Sequence, residues 1–282
     1  MQDSQIGLHV SSAGSLVLAI DRAQDVGATT FQMFTRNPNQ WRFSPISPEV
    51  AAAFREKRKA AGFRRVVAHM PYLPNLASPE KGTQKLSRAS LSEEVRRCDS
   101  LGIDYLVVHL GSHLGRGTMV GVANIAEAVN GALGASTGDA VVLLENMAGQ
   151  KNSVGARFEE LGYVLAKVRN GERVGVCLDT CHLYAAGFDM GSEAAVGQTM
   201  ALFDEFVGYG RLKVVHLNDS KGALGSNLDR HENVGKGMIG TKGMRAILHH
   251  RGITDRPLIL ETPFADERAM KQSLATVRHL LA

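Results

Sequence analysis

Residues Val174–His182 read VGVCLDTCH, an apolar, β-branched run that stops on Asp179 and is followed by a second metal-competent side chain at His182. An apolar run without polar alternation is the mark of a parallel strand covered on both faces. The pattern recurs outward in both directions: VVAHM ends on His69, LVVHL on His109, VVLLEN on Glu145, VVHLND on His216 and LILET on Glu261. Eight such segments are expected, roughly Ile6–Val10, Thr29–Phe34, Arg65–Met70, Tyr105–Leu110, Ala140–Met147, Val174–Thr180, Leu212–Asn218 and Pro257–Thr262. Helical periodicity separates them, as in SEEVRRCDSL within Ser87–Leu101 and again over Arg268–Leu281. Strands alternating with helices give an α/β chain, and eight of them predict a closed (β/α)8 barrel. No linker, low-complexity tract or motif-level repeat interrupts the 282 residues, so one domain over 1–282 is expected.

Composition sets the outer limits. With 44% hydrophobic and 21% charged residues the chain can bury a full core, which excludes general disorder. No segment approaches the roughly 20 uninterrupted apolar residues of a membrane span, and MQDSQIGLHV lacks the regions of an export signal. A cytoplasmic protein with no membrane partner is expected. The three cysteines, Cys98, Cys177 and Cys181, fit a reducing compartment and read as buried thiols rather than zinc ligands, because no second cysteine pair accompanies them. A net charge of +4 favours an anionic partner only weakly.

In a parallel barrel the carboxyl ends of all strands open onto one face, so residues distant in sequence meet in one cavity. A single histidine or glutamate after a strand is ordinarily a polar group reaching solvent. Many strand ends carrying such groups is another matter, because adjacent buried carboxylates are costly unless cations compensate them. The glycine-rich Ser220–Gly240 segment adds Asp229 and His231 in DRH, two residues apart and hence on one side of an extended chain. The candidate ligands are therefore His69, His109, Glu145, Asp179, His182, His216, Asp229, His231 and Glu261. They exceed the four to six positions of one ion and suit a cluster of two or three with bridging carboxylates. The residual positive charge of such a cluster would favour a phosphate ester and its displacement.

Four longer motifs, GSHLGRG from Gly111, LLENMAGQ from Leu143, GVCLDTCHLYAAGFD from Gly175 and HLNDSKGALGSNLDRHENVGKGMIG from His216, resemble the endonuclease IV family of apurinic/apyrimidinic endonucleases, and the likeness extends along nearly the whole chain. The resemblance implies three divalent ions, usually zinc, with manganese or iron also compatible with the mixed shells. His69 and His109 look like ligands of the first ion, with Glu145 bridging to the second. Asp179, His216 and Glu261 resemble the second ion's other ligands; His182, Asp229 and His231 resemble those of the third. The implied reaction is hydrolysis of the phosphodiester 5′ to an abasic site in double-stranded DNA, leaving a 3′-hydroxyl, together with removal of blocks from 3′ ends. Glu261 is expected to orient or deprotonate the attacking water, with Glu145 the second catalytic carboxylate. A monomer acting on nucleoid DNA is expected.

Lesion recognition would require a bent duplex and side chains that fill the stack. Tyr72 and Leu73 in HMPYLPNL match the family's inserting residues, and Gln40 and Trp41 in FTRNPNQW resemble its second recognition loop. One position departs: Asn39 stands where well-known relatives place an inserting arginine, which predicts weaker filling unless Arg36 or Arg42 reaches in instead. Two other readings stay open: a metal-dependent sugar isomerase or epimerase on the same barrel, and a protein that binds lesions without cutting.

Overall fold

In the computed structural model, which describes residues 5–282, parallel strands and helices alternate from the first strand to the last helix. The barrel strands are β1 (Ile6–Leu8), β2 (Gln32–Phe34), β3 (Val67–His69), β4 (Tyr105–His109), β5 (Val141–Glu145), β6 (Val174–Asp179) and β7 (Leu212–His216). Two short strands, β8 (Asp219–Ser220) and β9 (His231–Glu232), form a separate antiparallel hairpin before the last barrel strand, β10 (Leu258–Leu260). The sheet order is β1-β10-β7-β6-β5-β4-β3-β2, and a lone parallel bridge between His9 and Gln32 joins its two edges. This is the expected (β/α)8 barrel, the TIM-barrel architecture. The strands are shorter than the apolar runs, but ladder bonds continue past their ends: Met70 N donates to Val107 O at 2.8 Å and Leu217 N to Ile259 O at 2.8 Å. The difference is one of boundary.

Period-two alternation positions the site. Val67, Val107, Leu143, Cys177, Val214 and Ile259 fill the barrel interior, each fully buried. Their neighbours Ala68, Leu106, Leu144, Val176, Val215 and Leu260 face outward into the core shared with the helices. Burying each of the larger aliphatic side chains contributes about 1.5–3 kcal/mol. Two residues beyond each interior residue the pleat returns to the axis, now at the carboxyl end, where His69, His109, Glu145, Asp179, His216 and Glu261 stand. The apolar plug and the polar floor above it thus come from one alternation.

The surrounding helices are α1 (Leu18–Asp25), α2 (Pro48–Ala60), α3 (Lys81–Leu101), α4 (Thr118–Gly134), α5 (Phe158–Lys167), α6 (Thr180–Ala185), α7 (Glu193–Phe206), α8 (Gly240–His249) and α9 (Glu267–Leu281). Side-chain caps start several of them: Ser47 accepts from Val50 N, Ser192 from Ala195 N and Asp266 from Ala269 N. Among the described residues, no helix is long and apolar enough to cross a membrane.

The Ser220–Gly240 segment, expected as one long loop, is instead organised by the hairpin and by Asp219. This fully buried carboxylate accepts from Gly235 N and Gly237 N at 3.0 Å each and from Ile239 N at 2.9 Å. Gly237 is required where it sits, since a Cβ there would lie 2.4 Å from Ser220 O. The loop that carries Asp229 and His231 is therefore clamped at both ends.

Candidate metal centre

Glu145 is the hub. Its Oε2 lies 3.2 Å from His69 Nε2 and 3.1 Å from His109 Nε2, while its Oε1 lies 3.1 Å from His216 Nδ1. His216 Nδ1 is also 3.1 Å from Glu261 Oε2. On the other side, Asp229 Oδ1 stands 3.2 Å from His182 Nε2 and 3.3 Å from His231 Nε2. Ligand-type atoms within 4.8 Å of one another fall into the groups His69–His109–Glu145, Glu145–Asp179–His216–Glu261 and His182–Asp229–His231. All of the candidate ligands are brought together, with Glu145 shared by two groups.

A further layer holds these groups in place. His69 Nδ1 meets Met70 O at 2.8 Å and His182 Nδ1 meets Asn146 O at 2.8 Å, which turns each Nε2 toward the centre. Asn218 Nδ2 donates to Asp179 Oδ2 at 2.7 Å, and its Oδ1 accepts from Glu261 N at 2.9 Å. The Asp179 carboxylate also caps α6, accepting from His182 N at 2.8 Å. Sequence reading missed Asn146 and Asn218, although each directly follows a strand-end motif residue or its neighbour in ENM and HLN.

Burial opposes charge throughout, and the pairing overcomes it. Burial would push Glu145 up, yet His109 and His216 hold it well below the carboxylate range. The same opposition, won by His216, keeps Glu261 well below 4.5. Against burial, Asp179, Asp229 and Glu145 lift His182 well above 6.5, and Asp179 and Asp229 lift His231 to about 9. A raised histidine stabilises the fold fully below its unfolded value of 6.5, and that contribution is lost as the pH climbs through about 9. The metal-free protein is accordingly expected to lose stability between pH 6.5 and 9, as read by urea unfolding in chelator, and metal addition at neutral pH should release protons. A flat stability profile across that window would contradict the charged assignment of His231.

The donor set fits cations on its own geometry. His182 Nε2 and His231 Nε2 are buried without a hydrogen-bond partner although both stand near Asp229 Oδ1. The separation suits an ion pair and the angles do not suit a hydrogen bond, as expected when nitrogens and a carboxylate point at a shared centre rather than at each other. Cys181 also brings its Sγ near Asp179 and His231, but burial pushes the thiol up to about 12, and Cys177 lies in the apolar plug. All three cysteines are free and buried.

His69, His109, His182, Asp229, His231 and Glu261 line a cavity of about 460 Å³ whose walls add His9, Tyr72, Lys221, Arg230 and Phe264, while Glu145, Asp179 and His216 are fully buried. Sequence reading passed over His9, Lys221 and Phe264 as site residues. His9 was legible in principle, since GLHV places it at a strand end like the others. Tyr72 lines the cavity and is 58% exposed, with its ring edge-on to Phe34 at 5.2 Å, and the next residue, Leu73, is 39% exposed. Asn39 and Gln40 are exposed on the loop that follows β2, and Trp41 is half-buried. One alternative from the sequence is corrected here: Arg36 does not reach outward. Its guanidinium donates to Glu94 Oε1, Gln40 O and Ser90 Oγ, each at 2.6 Å, and only 5% of its side chain is exposed. Glu94 is fully buried, so releasing Arg36 would strand a carboxylate. Arg42 is exposed and remains available.

Comparison with known proteins agrees with this geometry. Residues 20–280 match the family described as xylose isomerase-like TIM barrel. The probable endonuclease 4 of Methanoculleus marisnigri is 47% identical, covering 98% of each chain. Among solved structures, endonuclease IV from Thermus thermophilus superposes with a TM-score of 0.87 at 37% identity over 98% of each chain. A D-tagatose 3-epimerase-like protein superposes with a TM-score of 0.71 at 19% identity, covering 98% of this chain and all of the other, a likeness of fold alone.

Proposed function

The chain belongs to the endonuclease IV family, and from that premise we propose that it hydrolyses the phosphodiester 5′ to abasic sites in double-stranded DNA, leaving a 3′-hydroxyl, and also clears blocked 3′ ends. Three divalent ions, zinc by the imidazole content of the site, would be held by His69, His109 and Glu145, by Glu145, Asp179, His216 and Glu261, and by His182, Asp229 and His231. The protein would act as a single-domain monomer in the cytoplasm. The observation that carries the reading is the set of three ligand groups, two of them sharing Glu145, at an open cavity lined by members of each group and by Tyr72.

When bound, divalent ions neutralise charge on a phosphoryl group and lower the pKa of water. The residues supply the rest. Glu261, at the cavity wall, orients the attacking water and takes its proton. Lys221 and Arg230 add positive charge along the cavity for the flanking phosphates. Tyr72 and Leu73 enter the space left by the missing base, offering flat apolar surface to the neighbouring stack.

Incubation with a duplex carrying one abasic site, with and without chelator, tests the proposal alongside elemental analysis. Cleavage at the lesion with an extendable 3′ end, three ions per chain and loss of cutting in chelator are expected. An intact duplex together with conversion of a ketose would support the isomerase reading. Tight lesion binding without cutting in metal-replete protein would support the binding reading.

Asn39 is the point at which this chain departs from the family, and with Arg36 tied to Glu94 it falls to Arg42 to compensate. Asn39→Arg is expected to tighten binding to abasic duplex by about 5- to 30-fold, the effect of about 1–2 kcal/mol from added stacking. Unchanged affinity in a fluorescence anisotropy titration would remove position 39 from the interface.

A further inference from the structure

Gln32 touches ligands of the second group without belonging to it. It is fully buried, and its amide contacts three site residues: Oε1 stands 2.8 Å from His216 Nε2, and Nε2 stands 2.6 Å from Glu261 Oε1 and 3.0 Å from His9 Nδ1. The hydrogen-bonding inventory leaves one arrangement. An ionised Glu261 only accepts, so the amide NH2 must face it, and the amide oxygen then faces His216. Two acceptors cannot be paired, so His216 carries a proton on Nε2. Its Nδ1, 3.1 Å from both Glu145 and Glu261, is thereby the nitrogen turned to the cation position. The second amide hydrogen fixes His9 likewise: Nδ1 accepts, and the ring proton sits on Nε2.

We propose that Gln32 is a positioning residue that sets the tautomers of His216 and His9 and orients Glu261 for the second ion. The inference rests on the metal centre described above. The backbone of Gln32 has a separate task, since its bridge to His9 and its carbonyl bond from Val10 N at 2.8 Å close the barrel between β1 and β2. A substitution that keeps the backbone and volume, Gln32→Met, therefore separates positioning from closure.

Nitrogen-15 histidine spectra of the zinc-loaded wild-type protein come first, because they read each ring's tautomer without any variant. His216 protonated on Nε2 is expected; protonation on Nδ1 overturns the inference. In Gln32→Met, one equivalent of metal is expected to pass to a competing chelator about 10- to 100-fold faster than in the wild type. The other equivalents should leave at the wild-type rate, a site selectivity that a merely structural role would not produce. Equal release of all ions overturns the proposal, and Gln32→Ala gives the same readout should the methionine variant fold poorly. A wild-type protein that retains no metal at all would instead overturn the metal centre itself.

Discussion

Turnover of an abasic duplex is expected to fall by about 10²–10⁴-fold in Glu261→Gln, with affinity for the same duplex held within a few-fold. The side chain follows β10, its backbone N–H donates to Asn218, and its two oxygens are taken by Gln32 at 2.6 Å and His216 at 3.1 Å. His216 keeps the carboxyl ionised despite burial, the form that can orient the water and accept its proton. An amide of the same shape preserves packing and one oxygen ligand but accepts no proton. Single-turnover rates, equilibrium binding and metal content measured on one preparation separate the possibilities. Near-normal turnover would remove Glu261 from proton transfer, and lost turnover with one ion missing would assign it to metal holding alone.

What the sequence reveals about this site follows from what is local. The barrel and the strand-end residues were legible because a period of two is written into consecutive residues: Val107 plugs the barrel and His109 stands above it, as Leu143 does for Glu145. Asp229 and His231 were legible by the same rule, and Asp229 Oδ1 does stand 3.3 Å from His231 Nε2. Partners joined across long separations were not. Arg36 reads as a free cation near the recognition loop, and only the fold shows that Glu94, 58 residues away, immobilises it. Gln32 escaped notice because an amide is not a metal ligand, and its meaning depends on His216, 184 residues on. Asp219 was not singled out at all, yet its carboxylate accepts from backbone groups 16 to 21 residues ahead and shapes the segment that delivers the last ligands.

That hub-and-clamp arrangement makes Glu145 the residue whose loss should cost the metal-free fold most. Glu145→Ala is expected to destabilise the metal-free protein by about 3–5 kcal/mol near pH 6, the cost of stranding buried charges. Glu145 is fully buried and faces His69, His109, His216 and His182 at 3.2, 3.1, 3.1 and 3.6 Å. Below 6.5 His109, His182 and His216 are protonated in the unfolded chain, so folding without Glu145 must either bury unpaired cations or strip their protons. As the pH rises above 6.5 the unfolded histidines are already neutral, and the raised folded-state values give the wild type progressively less advantage. The difference between variant and wild type should therefore shrink from pH 6 to pH 9 in urea unfolding with chelator. Because Glu145 serves two groups, the variant is also expected to lose the first and second ions together while His182, Asp229 and His231 retain theirs. A pH-independent loss below about 1 kcal/mol, the range of an exposed ion pair, would show that the histidines are compensated elsewhere and that Glu145 is not the hub.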